Sequence, residues 1–222
     1  MALPAYTQTK QLWLDNFTYW TINQYWEYEL NIGANYLLQE NGWKDYYVNH
    51  SVSWQPKWWC VTDLGLEMHF TNDPQALNTT ELRLSPGQKI IFDPYINSIH
   101  LEKPYIYGRY DYRAINYLGE DTIDIKQRFR VRMGGRFILN NNVVNAKTVY
   151  IPLFYEMFFD IDDAAIERFA TKDRFVIGVG YAFTNRLRAE FNYYHVRSRN
   201  TIENKYESSD KDYQILLRYF IY

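Results

Sequence analysis

The sequence predicts an all-β fold, a single antiparallel transmembrane β-barrel of ten to twelve strands, with twelve the count adopted. Three observations predict it. Apolar and polar residues alternate with a period of two from one end of the chain to the other. Several alternating runs exceed the ~9–11 residues that a tilted strand needs to cross a bilayer, whereas soluble sandwiches use strands of roughly 5–6. Aromatic residues make up 19% of the 222 residues, with 22 tyrosines, and rings fall near the ends of the apolar faces, where membrane barrels carry their interfacial girdles. No Pro/Gly/Ser-rich linker divides the chain. Residues 1–11 are therefore read as a tail and 12–222 as one barrel domain.

The elements follow in order. In "YWEYELNIGANYLLQ", Trp26, Tyr28, Leu30, Ile32, Ala34, Tyr36 and Leu38 share one face, and Glu27, Glu29, Asn31, Gly33 and Asn35 the other. After the turn-like "ENGWKD", Tyr46, Val48, Val52 and Trp54 oppose Asn49, Ser51 and Ser53, and a tight reversal is expected at Pro56–Lys57. Leu64, Leu66, Met68 and Phe70 then alternate with Asp63, Gly65, Glu67 and His69. The loop-like "TNDPQALNTT" leads to a strand in "ELRLSPGQKIIF" and another in "YIYGRYDYRAINY", where Ile106, Tyr110, Tyr112 and Ala114 back Arg109, Asp111 and Arg113.

The stretch "IDIKQRFRVRMGGRFIL" places Lys126, Arg128, Arg130, Arg132 and, after Gly134, Arg136 at alternate positions. On a helix, residues two apart sit about 200° from each other, so these charges would ring the cylinder; on a strand they form one face. Gly134–Gly135 is expected to mark a bend or bulge, and Pro152 in the next strand, "KTVYIPLFYEMFFD", a bulge or a boundary. Phe175, Ile177, Val179, Tyr181 and Phe183 then lead to a two-residue turn at Thr184–Asn185, and Leu187, Ala189, Phe191 and Tyr193 return. A polar loop, "RSRNTIENKYESSDK", precedes the last strand, "DYQILLRYFIY". This gives eleven strands. The segment 94–103 or the ambiguous "TKQLWLDNFTYW" supplies the twelfth.

The basic stripe decides what the polar faces enclose. A tight turn at Gly119–Glu120 places Asp111 opposite Arg128 and Arg109 opposite Arg130. A turn centred near Val143 places Glu156 opposite Arg130, give or take one pair. An enclosed charge must be paired or hydrated. Arg109, Asp111, Arg113, Lys126, Arg128, Arg130, Arg132 and Glu156 are accordingly expected to set the electrostatics of a lumen. Inward positions are richer in bases than in acids, so a water path would mildly favour anions; a lumen filled by ion pairs would pass nothing.

Other chemistries find little support. The formal charge is −2, against whole-molecule attraction to nucleic acid. Cys60 is the only cysteine, which excludes an internal disulfide framework and a thiolate cluster. No apolar run approaches the ~18 residues of a spanning helix. His50 and Ser51 are adjacent on a strand and point to opposite faces, and His195 and Ser198 differ in parity, so neither forms a nucleophile–base pair. His69, inward with Glu67 and Asp63, is read as a hydrogen-bonded lumen residue, since successive same-face residues lie ~7 Å apart and do not converge on one ion unaided. Gly178, Gly180 and Ala182 are read as room for large neighbours. No catalytic residue, metal or cofactor is expected.

The order "ELR", "YGRYDYRAIN", "QRFRVRMGGRF", "YIPLFYEMFFD" and "DRFVIGVGYAFTNRLRAEFNYYHVR" resembles a Gram-negative outer-membrane β-barrel family catalogued only as a domain of unknown function. The resemblance covers roughly residues 12–222. It implies an exported barrel in the bacterial outer membrane, with outer-membrane lipids and other outer-membrane proteins as partners, and it supplies no catalytic residue. Two features run against it. The first ten residues carry neither the basic nor the apolar region of a signal peptide, so the chain is either cytoplasmic or a mature chain with an added Met. Tyr222 lies out of phase with Ile221, Tyr219 and Leu217. The expected roles are a narrow anion-preferring channel or a structural barrel. A subunit of a larger assembly, contacting through loops at 71–80, 160–172 and 199–211, and a lipid-acting enzyme are the alternatives.

Overall fold

The computed structural model describes residues 9–92, 95–96, 100–161, 172–200 and 205–222, with side chains left undescribed at Tyr95, 199–200 and 205–207. Its elements are β1 (Thr9–Thr21), β2 (Trp26–Leu37), β3 (Lys44–Lys57), β4 (Cys60–Asn72), β5 (Thr79–Ile91), β6 (Tyr95–Ile96), β7 (Leu101–Tyr117), β8 (Ile123–Ile138), β9 (Thr148–Asp160), β10 (Lys172–Ala182), β11 (Leu187–Asn200) and β12 (Lys205–Ile221). Among the described residues there is no helix.

The sheet closes on itself with eleven strands, one fewer than expected. β5 pairs directly with β7, from Thr79↔Tyr117 to Ile91↔Tyr105. β6 is a two-residue ribbon on the end of β7, pairing only Tyr95↔Glu102 and Ile96↔Leu101, so the 94–103 candidate adds no wall strand. The N-terminal candidate does. β1 pairs with β2 and, in parallel, with β12 from Thr9↔Asp210 to Trp20↔Ile221. An odd number of up-and-down strands leaves the first and last pointing the same way, so the seam must be parallel. Inward residues stay in phase across it, as in Asp15↔Leu216 and Tyr19↔Phe220. β1 was ambiguous in the sequence because its inward face carries rings, Trp13, Phe17 and Tyr19, as well as its only inward carboxylate, Asp15.

β1 begins at one opening of the barrel and β12 ends at the other. The mouth at which β12 ends, the C-terminal mouth, carries the connections 22–25, 58–59, 139–147 and 183–186 and receives the C-terminal end of β5 and the start of β7; the N-terminal mouth carries 38–43, 73–78 and 118–122. Residues 162–171 of the expected 160–172 loop and 201–204 of the expected 199–211 loop lie outside the described residues.

Several local readings are corrected by the ladders. The reversal expected at Pro56–Lys57 falls at Trp58–Trp59, with Lys57↔Cys60 paired past an irregularity after Trp54. The turn after β10 has three residues, not two, because Phe183 N–H donates to Leu187 O at 2.9 Å. A two-residue turn would have set apolar Phe183 against Arg186; the extra residue keeps like faces together. Most of the polar segment 197–211 is strand, with Ser198↔Glu207 and Asn200↔Lys205 paired. Pro152 causes no shift: Ile177↔Leu153 and Gly180↔Tyr150 share one register, and the β9–β10 ladder skips Ile151–Pro152. Proline has no N–H to donate there. The bulge expected at Gly134–Gly135 lies on the partner strand, between Glu102 and Tyr105, facing Gly135. β12 is irregular near Ser209, not at its end, so Tyr222 keeps the parity of Phe220 and their rings stack at 6.4 Å.

Most polar and charged side chains face the interior and most apolar ones face out. Asp111 is 0% and Glu156 2% exposed, whereas Met68 is 59%, Val179 58% and Ile32 53%. Inward glycines make room for inward tyrosines. Gly33 is paired with Tyr47 and Gly180 with Tyr150, and a Cβ on either glycine would lie 2.3 Å from the facing ring. The space expected beside Gly180 is thus filled by Tyr150, and Gly178 lies against Asn192. Gly180→Leu would force the ring off its seat and break the hydrogen bond from Tyr150 Oη–H to Glu190, 2.9 Å. Destabilisation of about 1–3 kcal/mol is expected, read as a lower urea midpoint for the refolded barrel.

Candidate functional site

The strongest concentration of chemistry is the interior wall formed by β3, β4, β5, β7, β8, β9 and β10. Its centre follows from the turn between β7 and β8, where Glu120 N–H donates to Tyr117 O at 3.0 Å and Gly119 takes a φ of 105°. That turn sets Asp111 opposite Arg128 and Arg109 opposite Arg130, as the sequence predicted. Asp111 accepts from Arg109 Nε at 2.8 Å, Arg128 Nη2 at 3.0 Å, Arg130 Nη2 at 2.9 Å and Ser85 Oγ at 2.9 Å. Three guanidinium groups share one carboxylate.

Glu156 lies opposite Arg132, one inward pair from Arg130. It pairs with Arg132 Nη2 at 3.1 Å and Arg174 Nη2 at 2.5 Å, with Arg130 Nη1 at 4.0 Å. Arg130 itself faces Phe158, whose ring lies 5.1, 5.8 and 5.0 Å from the guanidinium carbons of Arg128, Arg130 and Arg174. A planar cation over a ring face adds a cation–π attraction that strengthens when desolvated.

The network extends across β5 and β4. Glu67 accepts from Arg83 Nη1 at 3.0 Å and has Arg109 Nη2 at 3.6 Å. Glu81 takes Arg113 through two bonds, 2.7 and 2.8 Å, and Arg83 Nη2 at 2.8 Å. His69 bridges Asp45 and Glu67 through Nδ1 at 2.8 Å and Nε2 at 2.9 Å. Both ring nitrogens face carboxylates, which matches the expected hydrogen-bonded role; Asp63, expected nearby, is instead bonded by Tyr107 Oη–H at 2.8 Å. Seven arginines thus interlock with four carboxylates, and His69 ties in a fifth, Asp45, so the network is net basic.

The rest of the wall is different in kind. Asp15 is held by neutral donors, the Tyr47 hydroxyl and Gln214 Nε2 at 2.7 Å. Gln214 Oε1 accepts from Asn192 at 2.9 Å and Tyr194 Oη–H at 2.6 Å. Glu190 with Arg218, 3.1 Å, is a separate pair.

Seven of the eight residues expected to set the lumen electrostatics join the network. Lys126 does not. Its side chain is 51% exposed at the N-terminal mouth, 3.4 Å from Asp124, because the strand runs beyond the enclosed part of the barrel. Arg83, Glu81, Asp45 and Arg174 were missed. Glu81 and Arg83 share a parity in "ELRL", and that alternation was the available signal.

The histidine–serine pairs stay apart. His50 Nδ1 lies 2.5 Å from Tyr28 Oη on the outer face, while Ser51 is buried inside. Ser198 Oγ bonds Ser209 Oγ at 3.0 Å. Among the described residues no group of three metal-ligating side chains converges. The outer face carries partnered polar groups as well: His50 with Tyr28, Gln127, which accepts from the Tyr110 hydroxyl, and Asp173, which accepts from Arg197 Nη2 at 2.6 Å and the Tyr155 hydroxyl at 2.7 Å. Cys60 is a free thiol on the outer face, accepting from Gln88 Nε2 at 3.3 Å.

With a closed barrel and a charged interior in place, comparison with known families assigns the chain. A model described as protein of unknown function, DUF2490, matches residues 10–207. The chain belongs to the DUF2490 family. The match spans β1 through β11 and the start of β12, so every residue of the network lies within the DUF2490 region. No curated protein matched the chain.

Proposed function

We propose that this DUF2490 chain is an outer-membrane β-barrel whose lumen is held shut at mid-height by ion pairs, acting as a structural barrel in the lipid and not as a wide pore. One observation carries the reading: the apolar faces point outward and nearly all the strand carboxylates inward, with Asp173 on the outer face neutralised by Arg197. In water that arrangement exposes a continuous oily belt far beyond the apolar patches of soluble monomers; in hydrocarbon it pairs the backbone of the closed wall strand to strand and turns most of the charges of the strands inward. The outward His50 and Gln127 each sharing a hydrogen bond with a tyrosine supports the same environment, since a lone polar group there would be costly. Eleven strands stand between the eight that side chains just fill and the sixteen or more that leave an aqueous channel, and here arginines and carboxylates occupy the middle. On this reading the barrel works without a catalytic residue.

Purified protein refolded in detergent should migrate faster on unheated gels than after boiling and, added to planar bilayers in high salt, should give a flat trace. Stable unitary conductance would reject the shut lumen and favour the second reading, a narrow anion-preferring channel, for which the surplus of arginine over carboxylate is the supporting observation. Full solubility without surfactant would reject the membrane location itself.

A further inference from the structure

Among the described residues, most cations of the lumen sit within ion-pair distance of a carboxylate. Lys89, Lys103 and Arg188 do not, and all three lie toward the C-terminal mouth. Lys89 on β5 holds its ammonium over the rings of Tyr105 and Tyr107, 5.6 and 5.5 Å from their centroids. Lys103 stands at the β7 bulge in the left-handed region, with φ 48°. Arg188 on β11 donates from Nη2 to Val144 O at 3.2 Å and lies 4.7 Å over the Phe220 ring, while its buried Nε has no partner. Arg136 exerts its charge on all three.

The acids of this mouth are either engaged or placed elsewhere. Glu102 is taken by Arg136 at 3.1 Å and by Val144 N–H at 3.3 Å. Glu27 and Glu29 stand on β2 and Asp63 on β4, the last bonded to Tyr107. Lys89 and Lys103 feel these carboxylates at a distance without closing on any. Gathering free cations on β5, β7 and β11, with carboxylates on β2 and β4, sets a field across the opening. Two ammonium groups and a guanidinium with a spare N–H match several oxygens of one polyvalent anion better than they match a single halide.

We propose that the C-terminal mouth binds a small multivalent oxyanion of the phosphate class between Lys89, Lys103 and Arg188. The inference needs only the closed barrel and holds whether or not the lumen conducts. Calorimetric titration of the refolded full chain with inorganic pyrophosphate at low ionic strength should show saturable one-site binding. The double variant Lys89→Gln/Lys103→Gln should bind roughly tenfold more weakly or worse while keeping its gel shift, and Lys126→Gln, at the other mouth, should bind as the parent does. Amine labelling of the unaltered protein gives an independent reading: pyrophosphate should slow modification of Lys89 and Lys103 and leave Lys126 unaffected. Absence of saturable binding, equal binding by the double variant, or no selective protection would overturn the proposal.

Discussion

Asp111→Ala is expected to be the most damaging single change in the interior, costing about 3–5 kcal/mol. The carboxylate is fully buried and takes bonds from Arg109, Arg128, Arg130 and Ser85. Removing it leaves three guanidinium groups facing one another with no counter-charge, apart from the reach of Arg109 to Glu67 and Arg130 to Glu156. Arg128→Ala is the informative companion. Among the described residues Arg128 has Asp111 as its one ion-pair partner, and its loss leaves that carboxylate with two arginines and a serine, so less than half of the Asp111→Ala loss is expected. Urea midpoints of the refolded proteins, followed by tryptophan fluorescence, make the comparison. Equal losses would mean that the three arginines do not share Asp111 as a common counter-ion.

Leu66→Arg carries the second large effect, because it places a charge at the middle of β4 on the outer face. Leu66 is 42% exposed there and stands level with His50 and Leu84 on the adjoining strands. If that face meets lipid, an arginine near the midplane costs about 2–4 kcal/mol. If it meets water, the change is a surface substitution worth within about 0.5 kcal/mol. Leu77→Arg is the control: Leu77 is similarly exposed, at 45%, but lies in the connection between β4 and β5, where no cost is expected. Unfolding titrations in phospholipid vesicles should therefore separate the two variants. Coincident curves would remove the membrane from the account of this barrel, leaving its topology untouched.

How far the fold could be read in advance depended on how cleanly each strand divides its faces. β8 was plain, since Arg128, Arg130 and Arg132 alternate with Phe129, Val131 and Met133, and only an extended backbone separates the two sets. The Asp111–Arg128 pairing was equally readable, because a short turn fixes register arithmetically. β1 resisted the same treatment, with Trp13, Phe17 and Tyr19 packed inside against Tyr194, Phe220 and Arg218. The outer half of the β11–β12 hairpin resisted it too, for its residues are polar on both faces. Both gaps have one cause: periodicity reports a strand only where its two sides meet different surroundings.

The sequence by itself determined the class of fold, the inversion of its faces and the membership of Arg109, Asp111, Arg113, Arg128, Arg130, Arg132 and Glu156 in a common interior, because alternation and one tight turn are local properties. Only the tertiary structure decided that eleven strands close the wall, that β1 meets β12 in parallel, and that Glu67, Glu81 and Arg83 extend the ion pairs across β4 and β5. Those outcomes depend on which edge strands find each other and at what stagger. Hydrogen bonds between chain segments nearly two hundred residues apart settle that matter, and no short stretch of sequence encodes it.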